Sequence, residues 1–364
     1  MATNQKIIMY LSIKRLLMKY KEQDIIYADF VWTWVDGSDE KWVTKYNQYI
    51  LYKIDKFRYT SNNEIIYSLL CYHKFMNWHK GRILLITDEQ IPALYKLPLE
   101  LQQRITIVDH TEFIPKIFLP TFNSIIIELW IPFINGLSNL FVYWNDDFLV
   151  WKETPIEYFF NKSEDKLVGY TENKQLFMCT NKNRQLSSNY HQTYKKTCDT
   201  FPDIINTENY ISNHSPRIYD KQMLLVLHHI YKDVFLQQYP YKIRSRNNIN
   251  TIALYDAWLK KLGLKLLIKE KDTDYNHLYL NINVVDNLNK DIYDKYNIIC
   301  INITNNLLEN KLKQNIDTRL GNYHQNIDTR LGNYHQKNKH LVLLILSFII
   351  ILSICLIWVL YRYY

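Results

Sequence analysis

The chain has 364 residues, 48% hydrophobic and 22% charged, with 30 Tyr and 9 Trp: enough apolar material for one large domain or two small ones, and too much for wholesale disorder. Seven Gly and nine Pro exclude collagen-like and linker-type chains. The formal net charge of +8 is spread along the sequence, which suits anionic partners such as phosphates or a membrane surface and predicts no nucleic-acid binding.

Residues 1–25 form a basic, loosely amphipathic segment (Lys6, Lys14, Arg15, Lys19, Lys21) whose apolar run at 7–11 is too short for a secretory signal. A surface helix is the plainer expectation, a helix lying on an anionic membrane the alternative. Residues 28–35 read as a buried strand ending in a turn at Asp36-Gly37. Residues 63–79 carry apolar side chains at helical spacing. Short strands follow at 82–87 and 105–108, ending in Asp88 and Asp109; then come a helix at 124–134 and a strand at 140–144 that ends in Asn145-Asp146-Asp147. Strands separated by helices predict an α/β fold with a mainly parallel sheet and flanking helices. In such sheets ligands bind beyond the carboxyl ends of the strands.

Five cysteines, odd in number, far apart and without a C-x-x-C pair, predict buried reduced thiols rather than a disulfide scaffold or a zinc site. The body is expected to span 26–308, followed by a polar tether at 309–340. Within the tether NIDTRLGNYHQ occurs at 315–325 and again at 326–336. Two copies are too few for a solenoid. Residues 341–360 (LVLLILSFIIILSICLIWVL) carry no charge and as a helix span about 30 Å, the thickness of a bilayer core. Trp358, Tyr361, Tyr363 and Tyr364 supply an interfacial aromatic anchor. The expectation is a single-pass, tail-anchored membrane protein, and Lys337 and Lys339 against Arg362 favour a cytosolic catalytic domain.

Paired carboxylates at a strand end repel each other unless a cation lies between them. Asn145-Asp146-Asp147 therefore reads as a site for a divalent ion shared with substrate phosphates, or as a solvated turn. Asp36-Gly37-Ser38-Asp39 is a turn or a holder of ligand hydroxyls. Arg58, Lys221, Arg244 and Arg246 are the candidate cations; Arg244-Ser245-Arg246 reads as a bidentate phosphate clamp or as a solvated charge cluster. His214, in Asn213-His214-Ser215-Pro216, is a general base titrating near neutrality or a structural histidine.

Residues 27–42 (YADFVWTWVDGSDEKW) resemble the first signature block of the Stealth family. Arg58-Tyr59, Asn62-Asn63-Glu64 and the following helix to Trp78 resemble the start of its second block. That block continues through Ile86-Thr87-Asp88-Glu89-Gln90-Ile91-Pro92, Ile107-Val108-Asp109-His110, Leu119-Pro120-Thr121-Phe122-Asn123-Ser124, Glu128 and the run from Phe141 to Phe148. His214-Ser215-Pro216 with Lys221, and Arg244-Ser245-Arg246-Asn247-Asn248, are similar to the third block, and Asn297-Ile298-Ile299-Cys300-Ile301-Asn302 to the short fourth. The fourth block departs from the family pattern: Ile303 stands where an Asp usually follows the Asn.

The resemblance implies a glycosyltransferase-A-like core and a divalent metal, Mg2+ or Mn2+. The implied activity moves a hexose-1-phosphate from a nucleotide-sugar donor to a hydroxyl of a glycan or glycoprotein acceptor, releasing nucleoside monophosphate. On that chemistry Asp146 and Asp147 would hold the metal, and Arg244, Arg246 and Lys221 would neutralise the diphosphate. Asp36 and Arg58 would contact the donor, with Asn63, Glu64, Asn123 and Glu128 lining its site. His214 would be the base, with Asp147 its competitor. The alternatives are an ordinary glycosyltransferase, or a tail-anchored adaptor that keeps the fold without catalysis.

Overall fold

A computed structural model of the chain describes residues 20–51, 59–61, 63–175, 189–205, 210–269, 272–275, 277–281, 295–302 and 316–321. The first half runs α1 (Glu22–Ile26), β1 (Asp29–Thr33), α2 (Glu40–Tyr49), α3 (Glu64–Phe75), β2 (Ile83–Thr87), α4 (Leu99–Gln102), β3 (Ile105–Asp109), α5 (Ser124–Trp130), β4 (Leu140–Asn145) and β5 (Phe148–Val150). The second half runs β6 (Phe160–Asn161), β7 (Lys166–Gln175), α6 (Asn189–Thr200), β8 (Tyr210–Ser212), β9 (Arg217–Asp220), α7 (Lys221–Ile230), α8 (Lys232–Gln238), α9 (Thr251–Lys261), β10 (Lys265–Lys269), β11 (His277–Asn281) and β12 (Ile298–Asn302).

The main sheet has the order β3-β2-β1-β4-β9, with β9 antiparallel to β4 and the other neighbours parallel. Its central strands β1, β2 and β4 are almost wholly buried, which explains their unbroken apolar sequences. Trp32 of β1 and Trp144 of β4 stack at 4.9 Å between ring centroids at the heart of the core. Trp32 Nε1 donates to Ser68 Oγ at 3.0 Å, and Ser68 Oγ donates to the Phe148 carbonyl at 2.7 Å. One serine thus ties α3 to both β1 and β5 and satisfies two polar groups in an apolar interior.

Two smaller sheets complete the α/β fold. One has the order β10-β7-β6 with β8 beside β7, and the other β11-β12-β5. Both mix parallel and antiparallel pairs, so the mainly parallel pattern belongs to the main sheet alone. The chain changes sheet between β4, which pairs with β1 and β9, and β5, which pairs with β12. That crossing point is Asp146-Asp147.

The boundaries differ from expectation at both ends of the described body. Tyr20 is buried and its hydroxyl donates to Asp220 Oδ2 at 3.0 Å, and Ile25 is fully buried, so the body starts before residue 26. Residues 316–320 form a helical turn whose Ile316 and Leu320 join the main core, so this part of the first repeat is packed rather than tethering. Among the described residues no helix is long and apolar enough to cross a membrane; 341–360 lies outside them. Cys71 and Cys300 are free and buried, as expected of reduced thiols, but Cys198 is disulfide-bonded.

Candidate active site

The two-residue turn after β4 presents Asp146 and Asp147 at the carboxyl end of the main sheet. In the β12–β5 register Cys300 lies opposite Phe148, which brings its thiol beside Asp147. Cys300 Sγ donates to Asp147 Oδ2 at 3.3 Å. From the segment between β8 and β9, His214 brings Nε2 to 3.9 Å from the same oxygen, with its ring edge-on to Phe148 at 4.9 Å. The ligand atoms of Asp147, His214 and Cys300 all lie within 4.8 Å of one another. Three distant parts of the chain therefore converge on one carboxylate.

The carboxyl pair is electrostatically loaded. Loss of hydration, the neighbouring Asp147 and then Glu64 push the Asp146 carboxyl well above its usual range. Asp147 is also raised, by lost hydration and by Glu64, against the opposing Cys300 thiol and Arg244. Asp147 Oδ1 and Asn145 Oδ1 are buried without a hydrogen-bond partner. Unsatisfied oxygens beside carboxyls that resist ionisation fit a bound cation. The Cys300 thiol is pushed well above its ordinary range by burial and by Asp147, so it stays a proton donor rather than a thiolate ligand. The donors left are the carboxylate oxygens and the His214 nitrogen, and the oxygens suit a hard divalent ion. His214 moves the other way: lost hydration, then Arg217 and Arg244, hold its pKa below the usual histidine range. The direction favours a neutral imidazole at neutral pH, on a side chain that keeps 39% of its exposure.

Arg244 reaches the site from the loop between α8 and α9, where its Nε donates to Ser124 Oγ at 2.8 Å and its Nη2 to the same oxygen. That loop is held by Asn123. Its side chain is fully buried and donates to the carbonyls of Tyr241 and Ile243 and to Asn248 Oδ1, at 3.1, 3.0 and 3.0 Å, while its Oδ1 caps α5 at Ile125 N. Asn248 Oδ1 also accepts from Ser245 N at 2.8 Å. Asn123 thus acts through the position of Arg244 and not by lining a donor site. Asn123→Ala would strand these acceptors. The expected result is a loss of about 1–3 kcal/mol in stability, with activity falling further because Arg244 is released. Normal activity with the stability loss would show that the Arg244 loop holds itself.

Glu128 is buried under the main sheet and accepts from the Tyr143 hydroxyl at 3.1 Å. Burial raises its pKa from 4.5 to about 7, against Arg244 and the Tyr143 hydrogen bond. A carboxyl whose folded pKa is raised binds more protons in the folded than in the unfolded chain. Stability therefore falls as pH rises through this interval, by up to about 3 kcal/mol at pH 8. Glu128→Gln keeps an acceptor for Tyr143 and cannot ionise. We expect it to melt higher than wild type at pH 8 and level with it near pH 4. Equal melting temperatures at both pH values would show that Glu128 is ionised without penalty.

The remaining sequence expectations divide. Glu64 opens α3 and faces the aspartates electrostatically, and Asn63 caps α3 with φ 64°. Asp36 lies in a turn, its Oδ1 accepting from Ser38 N and Oγ at 2.9 and 2.6 Å, while Gln90 binds its backbone N–H and carbonyl. Its neighbour Gly37 is required there, because a Cβ would meet the Tyr59 carbonyl oxygen at 2.6 Å. Arg246 is exposed on the Arg244 loop, and Arg58 lies outside the described residues. Lys221 is a correction. Asp220 pairs with Leu140 at the amino end of β4, so Lys221 emerges on the order of 17–20 Å from Asp146 and donates instead to the Ile134 and Leu137 carbonyls. Sequence reasoning placed Cys300 in the fourth block without a role of its own, and missed Arg217. Arg217 is buried on β9 beside Tyr143, where it bears electrostatically on His214. Strand register is what brings both to the site.

The family descriptions "Stealth protein CR1, conserved region 1" and "Stealth protein CR2, conserved region 2" match residues 27–53 and 58–168. The chain is 32% identical over 246 residues to capsular polysaccharide phosphotransferase cps12A of Actinobacillus pleuropneumoniae, covering 64% of this chain and 63% of that one. It is 32% identical over 245 residues to cps1A of the same organism, covering 64% of each. The chain carries two Stealth conserved regions. It is also 41% identical over 140 residues to a capsular polysaccharide phosphotransferase of Actinobacillus suis, covering 36% of this chain and 37% of that one. The chain spans less than two thirds of the length of the Actinobacillus pleuropneumoniae relatives. Among solved structures, galactosyltransferase LgtC in complex with donor and acceptor sugar analogues has a TM-score of 0.42 at 11% identity, covering 80% of this chain and 95% of that chain. A likeness this low carries no argument. The two Stealth regions contain Asp36, Asn63, Glu64, Asn123, Glu128, Asp146 and Asp147; His214, Arg244 and Cys300 come from outside them.

Proposed function

We propose that this chain transfers a sugar-1-phosphate from a nucleotide diphosphosugar to an acceptor hydroxyl in the synthesis of a capsule-like polysaccharide, on a glycosyltransferase-A-like core. The observation that carries the reading is the convergence of His214 and Arg244 on Asp147. The acceptor oxygen forms a bond to the β-phosphorus, and the bond from that phosphorus to the nucleoside monophosphate breaks. The sugar–phosphate bond is kept. Neutral His214 takes the acceptor proton, and the Asp147 carboxylate steadies the imidazolium that results. Arg244 and Arg246 bind the non-bridging phosphate oxygens, which Arg does with two parallel donors. Asp146 and Asp147, with Glu64 beside them, would hold a divalent ion, Mg2+ or Mn2+. When bound, such an ion supplies neutralisation of the diphosphate charge.

The test is product analysis of the full chain with a panel of labelled nucleotide sugars and a polysaccharide acceptor. Release of nucleoside monophosphate is expected. Release of nucleoside diphosphate would make the protein an ordinary glycosyltransferase, and no turnover with any donor would favour the adaptor. Membrane attachment through 341–360 is part of the proposal. The Lys337 and Lys339 flank favours a cytosolic body, the Cys198 disulfide an oxidising compartment. Protease added to intact vesicles separates the two: release of the body supports the first, its protection the second.

A further inference from the structure

The helical turn at 316–320 sits on a formed seat. Ile316 and Leu320 are 3% and 2% exposed and join the main core. Arg319 Nε donates to the Trp151 carbonyl at 2.8 Å, and its guanidinium lies 5.7 Å from the centre of the Phe75 ring. From the end of α3, Lys74 Nζ donates to the Arg319 and Leu320 carbonyls at 2.7 and 3.2 Å. These are carbonyls that the end of a helix leaves open. Gly321 leaves the turn at φ +66°, a conformation Gly adopts without strain. The seat therefore reads Ile, Arg, Leu and Gly at fixed spacing.

Each of these residues recurs eleven positions later, as Ile327, Arg330, Leu331 and Gly332, within the identical unit 326–336. Identical units can make identical contacts with the seat, so the connecting chain alone sets their relative occupancy. Ile316 follows Asn302, the end of β12, by 14 positions and Ile327 by 25. Loop-closure entropy grows slowly with length and disfavours the second unit only about twofold. A unit on the same chain also outcompetes one on another molecule through its high effective concentration.

We propose that Lys74, Phe75 and Trp151 form a peptide-recognition site with two competing ligands in the same chain, units 315–325 and 326–336, which exchange on it. Exchange moves the docked point eleven residues along the chain. It changes the reach between the body and residues 341–360 by at most about 36–40 Å. With 341–360 in a bilayer, as proposed above, the exchange sets how far the catalytic cleft stands from the membrane.

Limited trypsin digestion of the full chain reads the exchange directly, because a docked Arg319 or Arg330 is shielded from cleavage. Wild type is expected to show partial protection at both arginines. Leu320→Asp should expose Arg319, transfer the protection to Arg330 and leave the melting temperature unchanged; Leu331→Asp should give the mirror pattern. Combining Leu320→Asp with Leu331→Asp should abolish both protections and lower the melting temperature, and excess synthetic NIDTRLGNYHQ should restore it. The proposal is overturned if Leu320→Asp alone lowers the melting temperature as far as the double variant and leaves Arg330 exposed. It is equally overturned if the peptide restores nothing.

Discussion

Asp147→Asn is expected to lower the transfer rate by about 10²-fold or more while leaving the fold as stable as wild type or slightly more so. The rate loss follows because one carboxylate serves several tasks in the proposed chemistry: it faces His214, accepts from Cys300 and supplies an oxygen to the cation site. The stability gain follows from the repulsion among Asp146, Asp147 and Glu64, which removal of one charge relieves. Opposite movements of activity and stability are the mark of a group kept for function rather than folding. The measurement pairs the rate of nucleoside monophosphate release with a thermal melt. A variant with wild-type rate would remove Asp147 from the mechanism, and one that loses both rate and fold would make it structural.

The first half of the fold was legible because β1, β2 and β4 are central strands buried on both faces, and such strands appear as apolar runs that no partner has to explain. The Asp146-Asp147 turn was legible for the converse reason, as charge ending a strand. What could not be read was register. Cys300 matters because it lies opposite Phe148, and nothing in its own neighbours encodes that pairing. Lys221 was misplaced because β9 runs antiparallel and delivers it to the wrong edge of the sheet. Asn123 has the composition of a binding residue, but its amide is consumed by the loop that carries Arg244. Short polar side chains serve ligands and loops alike, and only the identity of the partner separates the two.

Asp256→Ala is expected to cost about 3–5 kcal/mol, the largest single loss of stability among these variants. Asp256 is buried between two cations: Arg217 Nη1 at 3.3 Å from one oxygen and Lys265 Nζ at 2.6 Å from the other. Lys265 also donates to the Ile218 carbonyl at 2.9 Å and lies 4.6 Å from the centre of the Tyr219 ring. Taking the carboxylate away leaves two buried positive charges facing each other. Lys265→Met leaves a one-to-one pair of Arg217 with Asp256, and should cost less. The pH dependence follows from Lys265, whose pKa burial lowers and Asp256 holds up. Without Asp256 the folded chain binds that proton less tightly than the unfolded chain does, so stability rises with pH up to the ordinary lysine range. The deficit of Asp256→Ala should therefore narrow between neutral and alkaline pH, while Arg217 stays charged throughout. Denaturant unfolding of the two variants at both pH values decides the matter. If Asp256→Ala costs no more than Lys265→Met, and the deficit is flat with pH, the triad is not what holds β9, β10 and α9 together beneath the site.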